Sequence, residues 1–256
     1  MTNLFSNTNN IQNEIFNFVK YKFPEDVMII INDHQLSDIS KLQKLKAKYN
    51  KPTMASGMRT DKRIQDIQGY LNLFANKEQI FTYLDVGAAE GKITSGISKY
   101  LQLDKLHTYA CDILPMTSTN DFNFIQTKDD KLPFFDSSFD LISVFMASHH
   151  FTNLEAMYRE IFRIMKHGGF LIIREHDLKK TDTIRFYDIV HALYATVFED
   201  EETPEHFMSN YIYGKYAVYK PKQEWIDFIK SIGFKQPYVT IDTNDQFDAF
   251  YAIFQK

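Results

Sequence analysis

Residues Phe81-Thr82-Tyr83-Leu84-Asp85-Val86-Gly87-Ala88-Ala89-Glu90-Gly91 read as a buried strand running into a tight glycine turn, and the helical spacing of Lys92 to Leu101 follows at once. A strand that ends in glycines and opens a helix lets a ligand approach bare backbone. Asp85, near the strand's carboxyl end, offers a carboxylate to polar groups on that ligand. The spacing Asp-x-Gly-x-x-x-Gly lacks the fuller glycine pattern of a dinucleotide site. Ile93 also stands where a phosphate loop carries its magnesium-binding hydroxyl. Carboxylates at Asp85 and Glu90 repel a polyphosphate and suit a ligand carrying an ammonium group and hydroxyls.

That description fits S-adenosylmethionine better than ATP. The stretch resembles the first motif of class I S-adenosylmethionine-dependent methyltransferases. The order of later segments resembles the ubiquinone/menaquinone-biosynthesis-like (methyltransferase type 11) branch, over roughly residues 60 to 256. The resemblance implies a Rossmann-like α/β fold: a seven-stranded, mostly parallel sheet of order 3-2-1-4-5-7-6 with helices on both faces. It implies S-adenosylmethionine as cofactor, with S-adenosylhomocysteine as product, and Gly87, Ala88, Glu90 and Gly91 as its binding turn.

A chain of 256 residues, 44% hydrophobic and 24% charged, has room for one large α/β domain with an appendage. The expected division is an N-terminal extension at 1–57, a cap or docking segment, and a methyltransferase domain at 58–256 with a lid insertion at about 178–222. The net charge of −4 gives no support to a broad nucleic-acid footprint. Cys111 is the single cysteine, which excludes an internal disulfide and fits a reducing compartment. Neither a signal peptide nor an apolar run long enough to span a bilayer is visible, so the expectation is a soluble, cytoplasmic protein.

Residues 1 to 10 are polar and read as a frayed end. Ile11, Ile15, Phe18 and Val19 fall at helical spacing, and Pro24 follows as a stop. Val27 to Ile31 is an apolar run that is either a strand or a turn of buried helix; periodicity does not separate them. Ile39, Leu42 and Leu45 form a stripe among lysines, and Lys51 to Gly57 reads as a linker with Pro52 and Gly57 as breakers. Ile64, Ile67 and Leu71 then make a helix face whose Arg59, Lys62 and Arg63 either reach a substrate anion or form a solvated end.

His107 to Asp112 reads as a second strand ending in an acid. In doubly wound folds an acid roughly 20 residues beyond the glycines binds ribose hydroxyls. Asp112, with Ile113 beside it, therefore joins the cofactor-binding set. Phe122 to Phe134 and Asp136 to Phe145 resemble the family's third strand, its Leu-Pro-Phe turn and its fourth strand. Family members usually carry an adenine-reading acid in the first of these segments. Here Lys128 stands at that place, and Asp129 takes the role if the loop slips by one residue; otherwise Asp129 and Asp130 are turn residues.

The fourth strand, apolar on both faces and hence central, delivers Met146-Ala147-Ser148-His149-His150 to the sheet's carboxyl edge, where ligands of open α/β sheets bind. Met146 is a cofactor contact. His149 or His150 is a general base or a packing histidine. The two point to different sides with no cysteine or acid cluster around them, so no metal site is expected. Glu160, Arg163, Lys166, Gly168 and Gly169 match the family's Glu-x-x-Arg-x-x-Lys-x-Gly-Gly element, with His167 in place of the usual proline. The glycines there are expected to end a helix before a fifth strand. That strand closes on Arg174-Glu175-His176-Asp177, which adds Glu175 and His176 to the catalytic candidates. Thr181 to Tyr219 carries many rings, Phe186, Tyr187, Tyr194, Phe207, Tyr211, Tyr213, Tyr216 and Tyr219 among them, on the inside of a lid or in ordinary helix packing. Gln223 to Phe234 is a helix closed by Gly233, and Tyr238 to Asp242 and Phe247 to Phe254 are two terminal strands.

The function expected is methyl transfer to a small-molecule or lipid- or quinone-like acceptor. RNA or an mRNA cap is the alternative acceptor, and a non-catalytic methyltransferase-like partner protein, docking through 1–57, is the alternative of a different class. Proximity and orientation do most of the work in such a displacement, which makes the donor site readable and the acceptor site silent.

Overall fold

The computed structural model describes residues 4–6, 8–20, 23, 26–49, 55–74, 77–116, 119–128, 131–178, 184–198, 202–212, 217–235, 239–243 and 249–256. In chain order the elements are α1 (Gln12–Val19), α2 (Val27–Ile31), α3 (Asp38–Lys48), α4 (Ala55–Phe74), β1 (Tyr83–Val86), α5 (Lys92–Leu101), β2 (Thr108–Asp112) and β3 (Asn123–Gln126). There follow β4 (Phe139–Phe145), α6 (Leu154–Ile164), β5 (Met165–His176), α7 (Ile184–Leu193), α8 (Pro204–Asn210), α9 (Lys222–Ile232), β6 (Val239–Asp242) and β7 (Ala249–Gln255). Two compact units result, Met1–Met54 with Leu178–Tyr219, and Ala55–Asp177 with Lys220–Lys256.

The second unit holds the sheet, whose order is β3-β2-β1-β4-β5-β7-β6, as the resemblance implies. Strands β3, β2, β1, β4 and β5 pair in parallel, and β7 pairs antiparallel with both β5 and β6. Leu141, Ile142 and Val144 of β4 are fully buried, as a central strand covered on both faces requires. One apolar cluster joins Leu84, Val144, Ile161, Trp225 and Phe254; another joins Ile67, Leu71, Ile97, Ile172 and Tyr251. The amino-terminal edge is stapled by Asp140, whose Oδ2 accepts from Phe81 N, Thr82 N, Thr82 Oγ1 and Lys166 Nζ at 2.8–3.0 Å. Arg163 grips Glu160, the Leu132 and Phe134 carbonyls and Asp136, which ties the turn before β4 onto α6.

Two expectations are corrected here. Gly168 and Gly169 do not end a helix: α6 stops at Ile164, and β5 starts at Met165, which pairs with Phe139. The register then shifts before Leu141 pairs with Phe170, so the glycines serve an irregularity inside the strand. Gly168 has φ +81°, and a Cβ on Gly169 would come within 3.0 Å of the Asp140 carbonyl. Gly57 is likewise no breaker, because it lies inside α4; residues 51–54 of the expected linker lie outside the described residues. Gly233, by contrast, does close α9, with φ +127°.

The first unit is helical. Val27 to Ile31, ambiguous by periodicity, is helix α2. Ser37 caps α3 by accepting from Ser40 N, and Leu42 and Leu45 are fully buried. Residues 4 to 6 are not frayed. Leu4 and Phe5 are buried, Leu4 N donates to Asp38, and Arg185 Nη1 donates to the Leu4 carbonyl at 3.1 Å. The aromatic insertion packs within this unit. Phe18 meets Phe186 and Phe198 edge-on, and buried Asp188 accepts from Tyr211 and Tyr219 hydroxyls at 2.9 and 3.2 Å. Tyr213 and Tyr216 lie outside the described residues. No helix among the described residues is long and apolar enough to cross a membrane.

Candidate active site

After β1 the chain turns through Gly87 (φ +73°), Ala88, Ala89 (φ +46°), Glu90 and Gly91 (φ +67°) into α5. Glycine is demanded twice. A Cβ on Gly87 would lie 2.3 Å from Ala147 Cβ, and one on Gly91 would lie 2.2 Å from Phe122 Cζ. The turn is held open by backbone bonds from Gly87 N and Ala88 N to the Cys111 carbonyl, at 2.8 and 3.1 Å.

Two carboxylates sit on this turn in different surroundings. Asp85 is buried, and each of its oxygens accepts one hydroxyl: Ser143 Oγ at 2.6 Å and Thr94 Oγ1 at 2.7 Å. Tyr83 hydroxyl backs Ser143 at 2.8 Å. Burial raises the Asp85 carboxyl from 3.8 to about 6; the two hydroxyls act against that rise and the Asp112 charge adds to it. Asp112, half-buried, receives Ala89 N on one oxygen at 2.9 Å and Leu114 N on the other at 3.0 Å, which fixes it across the mouth of the turn. Ile113 and Leu114 beside it are more than half exposed, apolar surface next to a polar anchor. Glu90 is exposed and pairs with Lys92, so its charge faces solvent. A cavity of about 450 Å³ opens beside Gly91, lined by Thr60, Asp61, Ile64, Lys92 and Ser95, and its lining includes neither Asp112 nor His149.

Phe145 of β4 pairs with Arg174 of β5, so the residues that follow leave the sheet at the same edge. Met146, at φ +55°, donates its N–H to the Arg174 carbonyl at 2.8 Å. Ser148–His150 then form one 3-10 turn that buries His149 and exposes His150. His149 Nδ1 lies 2.6 Å from Glu175 Oε2, and Ser148 N donates to Glu175 Oε1 at 2.8 Å. The His149 ring is 4.2 Å from the His150 ring and 5.1 Å from that of His176. Burial holds the His149 imidazole well below its ordinary pKa and pushes the Glu175 carboxyl up.

Residues 84–173 match the family described as Methyltransferase domain. The uncharacterized methyltransferase YcgJ of Bacillus subtilis is 29% identical over 100 residues, covering 36% of this chain and 40% of its own length. The ubiquinone/menaquinone biosynthesis C-methyltransferase UbiE of Shewanella woodyi is 30% identical over 90 residues, 33% of this chain and 36% of its own. The chain thus spans only about two-fifths of the length of these relatives. Among solved structures, a SAM-dependent methyltransferase of Aquifex aeolicus superposes with a TM-score of 0.50 at 18% identity, covering 86% of this chain and 98% of that one. At that identity the likeness speaks for the fold alone.

Within the sheet-bearing unit the structure gathers Asp85, Gly87, Ala88, Gly91, Asp112 and Ile113 around one turn. It gathers His149, His150, Glu175 and His176 at the ends of β4 and β5. Asp129 lies outside the described residues; Lys128 forms an isolated bridge with Lys131. Lys62, inside α4, is exposed. Sequence reasoning missed Thr94, Ser143, Ala147 and Ser148. Ser143 did leave a signal, a lone hydroxyl inside the apolar run of β4. Ala147 left none, since its role is to fit against a glycine 60 residues earlier.

Proposed function

We propose that this chain is an S-adenosylmethionine-dependent methyltransferase acting on a small-molecule or lipid- or quinone-like acceptor. The observation that carries the reading is the glycine turn: backbone bared by two glycines that tolerate no Cβ, flanked by Asp85 and Asp112. Two carboxylates and no phosphate-loop lysine–hydroxyl pair suit a cationic ligand with a vicinal diol. The domain match supports the same chemistry, and the likeness to UbiE supports the quinone-like acceptor. S-adenosylmethionine supplies a methyl group already activated on a sulfonium. The chain's own part is to bind and orient. Asp112 accepts from the ribose hydroxyls, Ile113 covers the base, and the backbone of Gly87 to Gly91 admits the methionine portion. Asp85 braces the turn and faces the ligand's ammonium side, with Met146 closing the edge. Holding the acceptor against the methyl carbon is worth several powers of ten in rate by proximity alone.

The experiment is thermal unfolding with S-adenosylmethionine and S-adenosylhomocysteine, on wild type, Asp85→Ala and Asp112→Ala. A ligand bound only by the native state stabilises it by about 2.7 kcal/mol at a hundredfold excess over Kd. A shift in the wild type that both variants weaken supports the donor site. A folded wild type that shows no shift at millimolar ligand overturns the proposal.

A further inference from the structure

Asp85 and Ser143 stand opposite each other on the paired strands β1 and β4, and Thr94 lies in the first turn of α5, the helix that the glycine turn opens. All three are buried, as is Tyr83, two residues before Asp85. An ionised carboxylate only accepts, so Ser143 spends its one hydroxyl proton on Oδ1 at 2.6 Å and Thr94 spends its own on Oδ2 at 2.7 Å. The Ser143 oxygen is then left to accept from the Tyr83 hydroxyl at 2.8 Å. Protons therefore point one way along a chain, from Tyr83 to Ser143 to Asp85, and Thr94 meets the carboxylate from the other side. A protonated Asp85 has to donate, and on the Ser143 side that reverses the whole chain among buried groups. Hydrogen bonds made to the charged form favour it, against the cost of burying it. The two hydroxyls do lower the Asp85 pKa against the rise that burial causes. Asp112 is held differently, by the backbone N–H groups of Ala89 and Leu114, which no side-chain substitution removes.

The titratable groups around Asp85 are Tyr83 on its own strand and Cys111 and Asp112 on β2. Burial raises the pKa of Tyr83 and of Cys111, so both stay neutral, and Asp112 brings a negative charge to bear on Asp85. On α5, Lys92 and Lys99 are exposed and pair with Glu90 and Asp121. Helix α4, whose Ile64 packs on Gly96 of α5, adds Asp61, Lys62, Arg63 and Asp66, none of them buried. We propose that Thr94 and Ser143, with Tyr83 behind Ser143, are positioning residues for donor binding: their hydroxyls keep Asp85 an oriented carboxylate, and so keep a negative charge beside the turn for the donor's ammonium group. The proposal rests on the methyltransferase reading above. A neutral carboxyl attracts a cation far less than a carboxylate in the same place. Thr94 and Ser143 act only through Asp85, so removing either hydroxyl weakens the hold on the amino-acid end of the donor and leaves its adenosine end alone.

The test has two arms, both on the full chain. In the first, 13C-carboxyl labelling of aspartate, assigned with Asp85→Asn, follows the Asp85 titration with no donor present. Thr94→Val and Ser143→Ala should each raise its midpoint by about one to two pH units, the worth of one hydrogen bond to a charged group. Tyr83→Phe should raise it less, and Thr94→Ser, which keeps the hydroxyl, should hold it at the wild-type place. Either of the first two variants suffices should the other fail to fold. In the second arm, calorimetry from pH 4.5 to 9 compares S-adenosylhomocysteine with methylthioadenosine, which keeps the adenosine and the thioether but lacks the ammonium and carboxylate groups. The wild-type affinity for S-adenosylhomocysteine should fall, by up to about tenfold, as pH drops below about 6. In Thr94→Val and Ser143→Ala the fall should begin about one to two units higher. Methylthioadenosine should bind equally at every pH and in every variant. An Asp85 midpoint that stays put in the folded variants overturns the proposal. So does methylthioadenosine weakened as much as S-adenosylhomocysteine, because the hydroxyls then only prop the shape of the turn. Either result with donor binding intact in the wild type leaves the function standing, whereas a wild type that binds no S-adenosylhomocysteine overturns the function and this proposal with it.

Discussion

Asp85 should make the protein less stable as pH rises, the reverse of an ordinary paired carboxylate. It is buried, and its pKa stands at about 6 instead of 3.8. Between those values the folded chain holds a proton that the unfolded chain has released, so stability declines as pH climbs from 3.8 to 6 and is level above. At about 1.4 kcal/mol per pH unit, the span from 3.8 to 6 amounts to about 3 kcal/mol. Asp85→Asn keeps the shape without the charge. At acid pH it should be slightly the less stable, by about 1 kcal/mol for a poorer fit to the Ser143 and Thr94 hydroxyls. Near neutrality it should be the more stable by about 2 kcal/mol. The assay is urea unfolding from pH 4.5 to 8, followed by fluorescence of Trp225, the chain's single tryptophan, which is buried in the same unit as Asp85. S-adenosylmethionine should stabilise the wild type more at pH 7.5 than at pH 5, and Asp85→Asn less than the wild type at both. A wild-type-minus-variant difference that stays flat across this range would refute the reasoning, since a desolvated carboxyl has to show the slope.

Further outcomes are expected from single substitutions. Gly87→Ala should cost about 1–3 kcal/mol, because it puts a Cβ at 2.3 Å from Ala147 at a positive φ; adding Ala147→Gly should recover part of the loss in a double-mutant cycle of melting temperatures. Asp112→Asn should leave the fold within about 1–2 kcal/mol of wild type while weakening S-adenosylhomocysteine binding at least about tenfold by calorimetry, since one charge-assisted acceptor is lost. Asp188→Ala, in the helical unit, removes the buried acceptor of the Tyr211 hydroxyl, whereas the Tyr219 hydroxyl keeps His191 Nδ1 at 2.9 Å; it should destabilise that unit by about 1–3 kcal/mol, seen as faster hydrogen exchange along α7.

The strand-turn-helix at Phe81 to Leu101, the acid ending β2 and the apolar run of β4 were legible because each is written in consecutive residues: period, punctuation and one polar end group. So was the sheet order, through the resemblance those segments carry. The burial of Leu4 and Phe5 was not, because their partners Asp38 and Arg185 lie about 34 and 181 residues away. The Gly168-Gly169 pair read as a helix stop because local rules favour glycine there. Strand pairing between Phe139 and Met165 overrode them and moved the glycines into β5.

The sequence by itself thus determined which segments form strands and helices and where the glycine turn bares its backbone, since those follow from local period and residue type. Only the tertiary structure decided the company each candidate keeps. Asp85 became a desolvated carboxyl braced by Ser143 and Thr94, and His149 became the partner of Glu175, 26 residues away. It also joined the N-terminal helices and the 178–219 insertion into one unit. The physical reason is common to all three: burial and hydrogen-bond direction depend on groups brought together from distant strands and helices, and no spacing along the chain encodes them.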